Sequence, residues 1–182
     1  YFTYSAMNAG KSAILLQAAY NYREQGMEVM LWTSGHYGAA SAEKMGEIES
    51  RIGLNAPAHL YRSDTDLFAE IARQHEQTPL SAIFFDEAQF LTKAQVWQLA
   101  RAVDDLGVPI MCYGLRVDFR GELFPGSAAL LALADEMREA RTICHCGKKA
   151  TMVIRQDENG QVLKDGAQIQ IGGNETYVSL CR

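Results

Sequence analysis

Long apolar runs are missing from this chain, and none reaches the roughly 20 residues that a membrane-spanning helix needs. Blocks of like charge are missing too. No run of five same-sign residues occurs and the formal net charge is −5. That balance counts against nucleic-acid binding, whose affinity comes largely from basic side chains meeting phosphates. No secretory leader is visible. Tyr1 already lies in a strand-like run, so the natural N-terminus is expected upstream. Internal repeats and low-complexity tracts are also absent. What the chain does have is 48% apolar residues in 182, enough for a substantial core and too many for a disordered chain.

The first two-thirds alternates short apolar runs with longer helical patterns. Strands are expected at 1–4, 27–32, 81–86 and 108–114. Helices are expected at 11–25, closed by Gly26, at 63–77 after capping residues, and at 92–107 between Thr92 and Gly107. This alternation predicts an α/β unit with a mainly parallel, buried sheet over 1–139. Residues 34–50 have little periodicity and read as a long mobile loop. After residue 136 the segments shorten. Asn159-Gly160 gives a two-residue hairpin signal, so 140–182 reads as a small β appendage.

Ser5 to Ser12 spells S-x-x-x-x-G-K-S between the first strand and the first helix, a phosphate loop with Ser5 in place of the usual first glycine. In such a loop the backbone of Ser5, Ala6, Met7, Asn8, Ala9 and Gly10 cradles phosphate oxygens. Lys11 neutralises their charge and the Ser12 hydroxyl ligates Mg²⁺. The plainer alternative is a helix start that happens to contain glycine and lysine; the strand before it and the helix after it favour the nucleotide site.

Two adjacent carboxylates, Asp86 and Glu87, end the apolar run "SAIFF". In phosphate-loop enzymes an acid at such a strand end serves the metal, which suits Asp86. Glu87 is either a first-turn carboxylate favoured by a helix dipole or a general base beside the γ-phosphate. The cysteines divide in the same way. Cys112 sits in an apolar run and reads as an inert core thiol. Cys144, Cys146 and Cys181 suggest zinc more than disulfides, and with it the cytoplasm. Scattered core cysteines are the alternative. A structural zinc takes four ligands. The fourth is expected beyond Arg182, with His145 as the fallback.

The segments "SAMNAGKS", "DEAQFL", "CYGLRVDFRGELFPGS", "TICHCGKKA" and "IGGNETYVSLCR" together resemble the type II thymidine kinases, most closely their enterobacterial branch. The resemblance implies a RecA-like phosphate-loop sheet and a zinc-anchored lasso that closes over the nucleoside. It implies transfer from Mg-ATP to the 5′-hydroxyl of thymidine, with deoxyuridine as a second acceptor. Glu87 would be the base, Ser12 and Asp86 would serve Mg²⁺, and Gln89 would join the ATP site. Met7, Phe90, Leu115, Phe119 and Phe124 would surround the base, closed over by Ile171, Gly172 and Tyr177. A homotetramer inhibited by thymidine triphosphate is also implied. The family's Asp-x-Arg signature is missing from 33–50, and the first arginine after it is Arg51. Two rivals remain: a phosphate-loop ATPase whose zinc module binds nucleic acid, and an NTPase switch in which Glu87 orients water.

Overall fold

The computed structural model describes residues 1–35, 45–169 and 176–182. Its main sheet contains β1 (Phe2–Ser5), β2 (Val29–Ser34), β3 (Met45–Glu49), β4 (Asn55–Tyr61), β5 (Ala82–Phe85), β6 (Ile110–Leu115) and β7 (Met137–Glu139). Their spatial order is β3-β4-β2-β5-β6-β1-β7, and every pairing is parallel except β3 with β4. A second sheet has the order β10-β8-β9, from β8 (Met152–Gln156), β9 (Val162–Leu163) and β10 (Tyr177–Leu180).

The central strands are apolar on both faces, as a parallel sheet covered on both sides requires. Met30, Trp32, Ile83, Phe85, Ile110 and Cys112 point to one face. That face is covered by α2 (Leu67–Gln77), α3 (Lys93–Leu106) and α4 (Pro125–Leu133). Val29, Leu31, Ala82, Phe84 and Tyr113 alternate with them and meet Leu15, Leu16 and Ala19 of α1 (Lys11–Glu24) on the other face. Helix α3 starts with a complete capping box between Thr92 and Gln95 and stops at Gly107 with φ 69°. Such a cap contributes about 1 kcal/mol.

The expected strands and helices are present within a few residues. Three readings need correction. Residues 34–50 are not one loop, because Met45–Glu49 pairs antiparallel with β4 at the sheet edge. Only Ile48 of that strand is fully buried, so its sequence carries little alternation to detect. The expected strand at 27–32 lies two residues later, and Met27 is exposed. The hairpin after β8 has a five-residue loop, since Gln156 pairs with Val162. Asp157 closes it, its Oδ1 accepting from the N–H groups of Asn159 and Gln161.

Candidate active site

The site forms at the carboxyl ends of the parallel strands, where open α/β sheets bind ligands. Out of β1 comes the phosphate loop. Asn8 and Gly10 have left-handed φ values of 63° and 71°, a conformation that turns successive backbone N–H groups toward one concavity. No side chain caps α1, whose N-cap is Gly10. Its first N–H groups therefore lack a side-chain acceptor at the place where an anion would dock.

Lys11 is buried, and its Nζ donates to Ser5 Oγ at 2.9 Å and to Ala6 O at 3.4 Å. Burial lowers its pKa against the opposing pull of Glu87 and Asp86, and Arg51 lowers it further. The serine that stands where a glycine is usual thus receives the ammonium group. Sequence alone showed only the oddity at position 5.

Asp86 follows β5 and is almost fully buried. Its Oδ2 accepts a 2.8 Å hydrogen bond from Ser12 Oγ, and Oδ1 is buried with no partner at hydrogen-bonding distance. Burial first, and the Glu87 charge second, push its pKa up to about 7, against smaller opposing effects of Ser12, the Glu87 backbone N–H and Lys11. An unsatisfied buried carboxylate oxygen beside a hydroxyl fits a cation-binding role, because an unmatched charge there is otherwise costly.

Glu87 adopts φ 53°, ψ 36°, a left-handed conformation unusual for a residue with a side chain. Strain of this kind costs on the order of 1 kcal/mol and persists where the surroundings enforce it. Here the Tyr61 hydroxyl donates to Glu87 O at 2.7 Å, and Gln89 Nε2 donates to the Glu87 carboxylate. The two neighbouring acids are thereby separated: Asp86 is buried against Ser12, whereas Glu87 lines the cavity. Gln89 also accepts from Leu115 N–H at 2.9 Å, so its amide braces Glu87 against β6. Gly114 permits that approach, since a Cβ there would lie 2.8 Å from Gln89 Oε1.

Lys11, Ser12, Glu87 and Gln89 open onto a cavity of about 690 Å³. Its lining includes every loop residue from Met7 to Ser12, together with Glu87 and Gln89. The wall beyond them carries Phe90, Leu115, Phe119, Phe124 and Tyr177. Phe90 and Phe124 meet edge to face, with ring centroids 6.0 Å apart. Ser5, Ala6 and Asp86 are not part of the lining, and Ile171 and Gly172 lie outside the described residues. Arg51 reaches the lining from the turn between β3 and β4. That turn is closed by Ser50 N–H to Leu54 O at 2.7 Å and by Gly53 with φ 85°.

Cys144, Cys146 and Cys181 converge, their sulfurs all within 4.8 Å of one another. Cys146 Sγ lies 3.6 Å from Cys181 Sγ, close to the roughly 3.8 Å edge of a tetrahedron with about 2.3 Å metal–sulfur bonds. Backbone N–H groups of Cys146 and Cys181 hold the Cys144 thiol down at about 6. This donor set fits a thiophilic metal. His145 Nδ1 is 3.5 Å from Cys144 Sγ but does not join the three-sulfur cluster. Cys112 lies apart from the cluster; burial pushes its thiol up to about 12, as for an inert core residue. Sequence reasoning missed two further contacts: the Tyr61 bond to Glu87, and Ser179 Oγ donating to Met7 O at 2.8 Å. Tyr61 lies in none of the quoted motifs, and Ser179, though within "IGGNETYVSLCR", carried no expected role.

A phosphate loop on a mostly parallel α/β sheet, a carboxylate pair at a neighbouring strand end and an aromatic-walled cavity together define an ATP-dependent nucleoside kinase, a transferase. The family model described as "Thymidine kinase" matches residues 1–182, and the chain belongs to that family. It is similar to the thymidine kinase of Jannaschia sp. (strain CCS1), 64% identical across all of this chain and 92% of that protein. The thymidine kinase of Ruegeria pomeroyi is 62% identical, with 100% and 90% covered. An enterobacterial relative, the thymidine kinase of Yersinia pseudotuberculosis, is 54% identical, with 100% and 91% covered. Among the described residues, no helix is long and apolar enough to cross a membrane.

Proposed function

We propose that the chain transfers the γ-phosphoryl group of ATP to the 5′-hydroxyl of thymidine, giving thymidine monophosphate and ADP. One observation carries this reading: a single cavity joins the phosphate loop, the Glu87 carboxylate and an aromatic wall suited to a flat base. Thymidine fills the wall between Met7, Phe90, Leu115, Phe119, Phe124 and Tyr177. Deoxyuridine, which lacks only a methyl group, is a second acceptor.

The phosphate loop and Lys11 bind the donor, Lys11 leaving Ser5 for the phosphate oxygens. Ser12 and Asp86 would hold the Mg²⁺ that accompanies ATP. That ion, when bound, neutralises phosphate charge. Glu87 takes the proton from the 5′-hydroxyl as that oxygen bonds to the γ-phosphorus. The bond from the γ-phosphorus to the β–γ bridging oxygen breaks, and its electrons leave with ADP. Positioning and charge neutralisation supply most of the rate in such a transfer. With no Asp-x-Arg in 33–50, Arg51 and Lys11 are the only cationic side chains among the described residues lining the cavity. Arg51 is assigned to the charge that develops on the transferring group.

Cys144, Cys146 and Cys181, with a fourth ligand beyond Arg182, would hold zinc, and that ion would tie the end of β10 to the 144–146 segment beside the cavity. Residues 1–139 and 140–182 act as a nucleotide-binding unit and a closing unit. A cytoplasmic homotetramer inhibited by thymidine triphosphate is part of the same reading.

The test is thymidine monophosphate formation from Mg-ATP, with Glu87→Gln and Arg51→Ala beside the parent. A general base at Glu87 predicts at least ~10²-fold loss of kcat in Glu87→Gln. Arg51→Ala should lower kcat more than it raises the KM for thymidine. Transfer undiminished in Glu87→Gln would remove the base assignment. A parent that hydrolyses ATP without any nucleoside acceptor would favour the water-orienting switch instead.

A further inference from the structure

We propose that Arg155 is a positioning residue for the nucleoside side of the cavity: its guanidinium clasps Phe119 and the 165–167 backbone, and so sets acceptor affinity without touching the phosphoryl donor. This rests on the nucleoside reading above.

Arg155 lies on β8 and is only 2% exposed. A guanidinium keeps its charge in a protein, and burying that charge is costly unless it is compensated. No carboxylate pairs with it in any ion pair among the described residues. Among the described residues, compensation comes instead from three neutral partners. The Phe119 ring lies face-on, 3.9 Å from Cζ to the centroid, a geometry in which the ring quadrupole attracts a cation. Nη1 donates to Ala167 O at 2.8 Å and Nη2 to Asp165 O at 3.1 Å. Nε is buried and has no hydrogen-bond partner among the described residues. Between the two carbonyls, Gly166 has φ 129°, and a Cβ there would lie 2.2 Å from Nη2. The backbone is shaped around the guanidinium.

Register shows why this clasp concerns the cavity. Arg155 pairs directly with Tyr177, and Val153 lies two positions before it. Directly opposed residues and those two apart share a sheet face, and both Tyr177 and Val153 line the cavity. The clasped segment continues into Gln168 and Ile169, also in the lining. Gln168 Nε2 donates to Asp118 Oδ2 at 3.0 Å. The neighbour of Asp118 is Phe119, so the 165–168 segment is fastened to the loop after β6 at two points. Filling this space would need only an apolar side chain. A forked cation adds direction, because it fixes a ring and two carbonyls relative to one another.

The test uses the whole chain with Arg155→Met, Arg155→Lys and Gly166→Ala. Arg155→Met should raise the KM for thymidine about tenfold or more while kcat and the KM for ATP stay within about twofold. Arg155→Lys should recover part of the loss, because it restores charge over the ring but not the fork. Gly166→Ala should reproduce the Arg155→Met pattern by disturbing the clasp from the other side. Hydrogen exchange, which needs no substrate, should quicken in 117–123 and 165–169 and nowhere else. An unchanged thymidine KM in Arg155→Met overturns the proposal. So does an equal rise in both KM values with a lowered melting temperature, the mark of general unfolding. If the parent does not phosphorylate thymidine, the kinase reading falls by itself. Exchange then still judges the clasp: quickening confined to those two segments supports it, and unchanged exchange there overturns it.

Discussion

Asp86 and Glu87 stand side by side in the chain but meet different surroundings, and the left-handed turn at Glu87 separates them. An acid whose pKa is raised in the folded state binds its proton more tightly there than in the unfolded chain. The contribution of Asp86 to stability is therefore full at low pH and is lost as pH rises from 3.8 to about 7. Denaturant titrations of the ligand-free protein across that window should show a downward slope that Asp86→Asn flattens. A slope that survives the substitution would assign it to other groups. Lys11 and Ser12 stood out in the sequence through the spacing of the phosphate-loop pattern, and Asp86 and Glu87 through their place at the end of an apolar run. Ser5 was legible only as a departure, since its meaning depends on where the Lys11 ammonium rests. Tyr61 and Ser179 were illegible because a hydroxyl that bonds a backbone carbonyl from 26 or 172 positions away leaves no local pattern.

At the scale of elements, α3 could be read to within a residue at each end because its cap residues do the terminating. The edge strand β3 could not, since a strand covered on one side over a single residue shows no clear alternation. Helix α4 was hidden for the opposite reason. The run "PGSAALLAL" is apolar nearly all round and lacks a polar stripe. This helix presses close to the 3-10 turn Ala88–Phe90, which carries Gln89 and Phe90 to the cavity. At Gly126 a Cβ would lie 2.6 to 2.8 Å from the carbonyl oxygens of Leu91, Ala88 and Gln89. Gly126→Ala should therefore cost about 1–3 kcal/mol in urea unfolding, the range for overpacking, and should raise the thymidine KM as Phe90 shifts. Wild-type stability in that variant would mean that α4 and the turn can separate freely.

Across the whole molecule, the small sheet reaches the nucleotide loop through the Ser179–Met7 hydrogen bond and the cavity wall through Arg155 and Tyr177. The three-sulfur cluster lies at the start of the segment leading to β8 and just after β10. Stripping metal with a strong chelator under reducing conditions should thus weaken thymidine binding strongly while leaving ATP binding nearly intact. Calorimetric titration with each ligand measures both. Equal loss of the two would show that the cluster supports the whole fold and not the closing segment alone. The sequence allowed the two sheets to be anticipated, through the change of texture after residue 136. The resemblance put Met7 and Tyr177 against the same base, but nothing in the sequence marked the Ser179–Met7 hydrogen bond itself.

The place of β1 in the main sheet has a consequence for how the chain reaches this state. Its partners are β6 and β7, so Phe2 waits for Cys112 on one side and Met137 on the other. Pairings between such distant residues are slow to form, because loop-closure entropy is lost before the contacts reward it. The nucleotide loop that follows β1 thus acquires its shape only after β6 and β7, far along the chain, have been made. A nascent chain stalled before residue 110 holds the whole phosphate motif in its sequence, yet neither of the strands that flank β1 has been made.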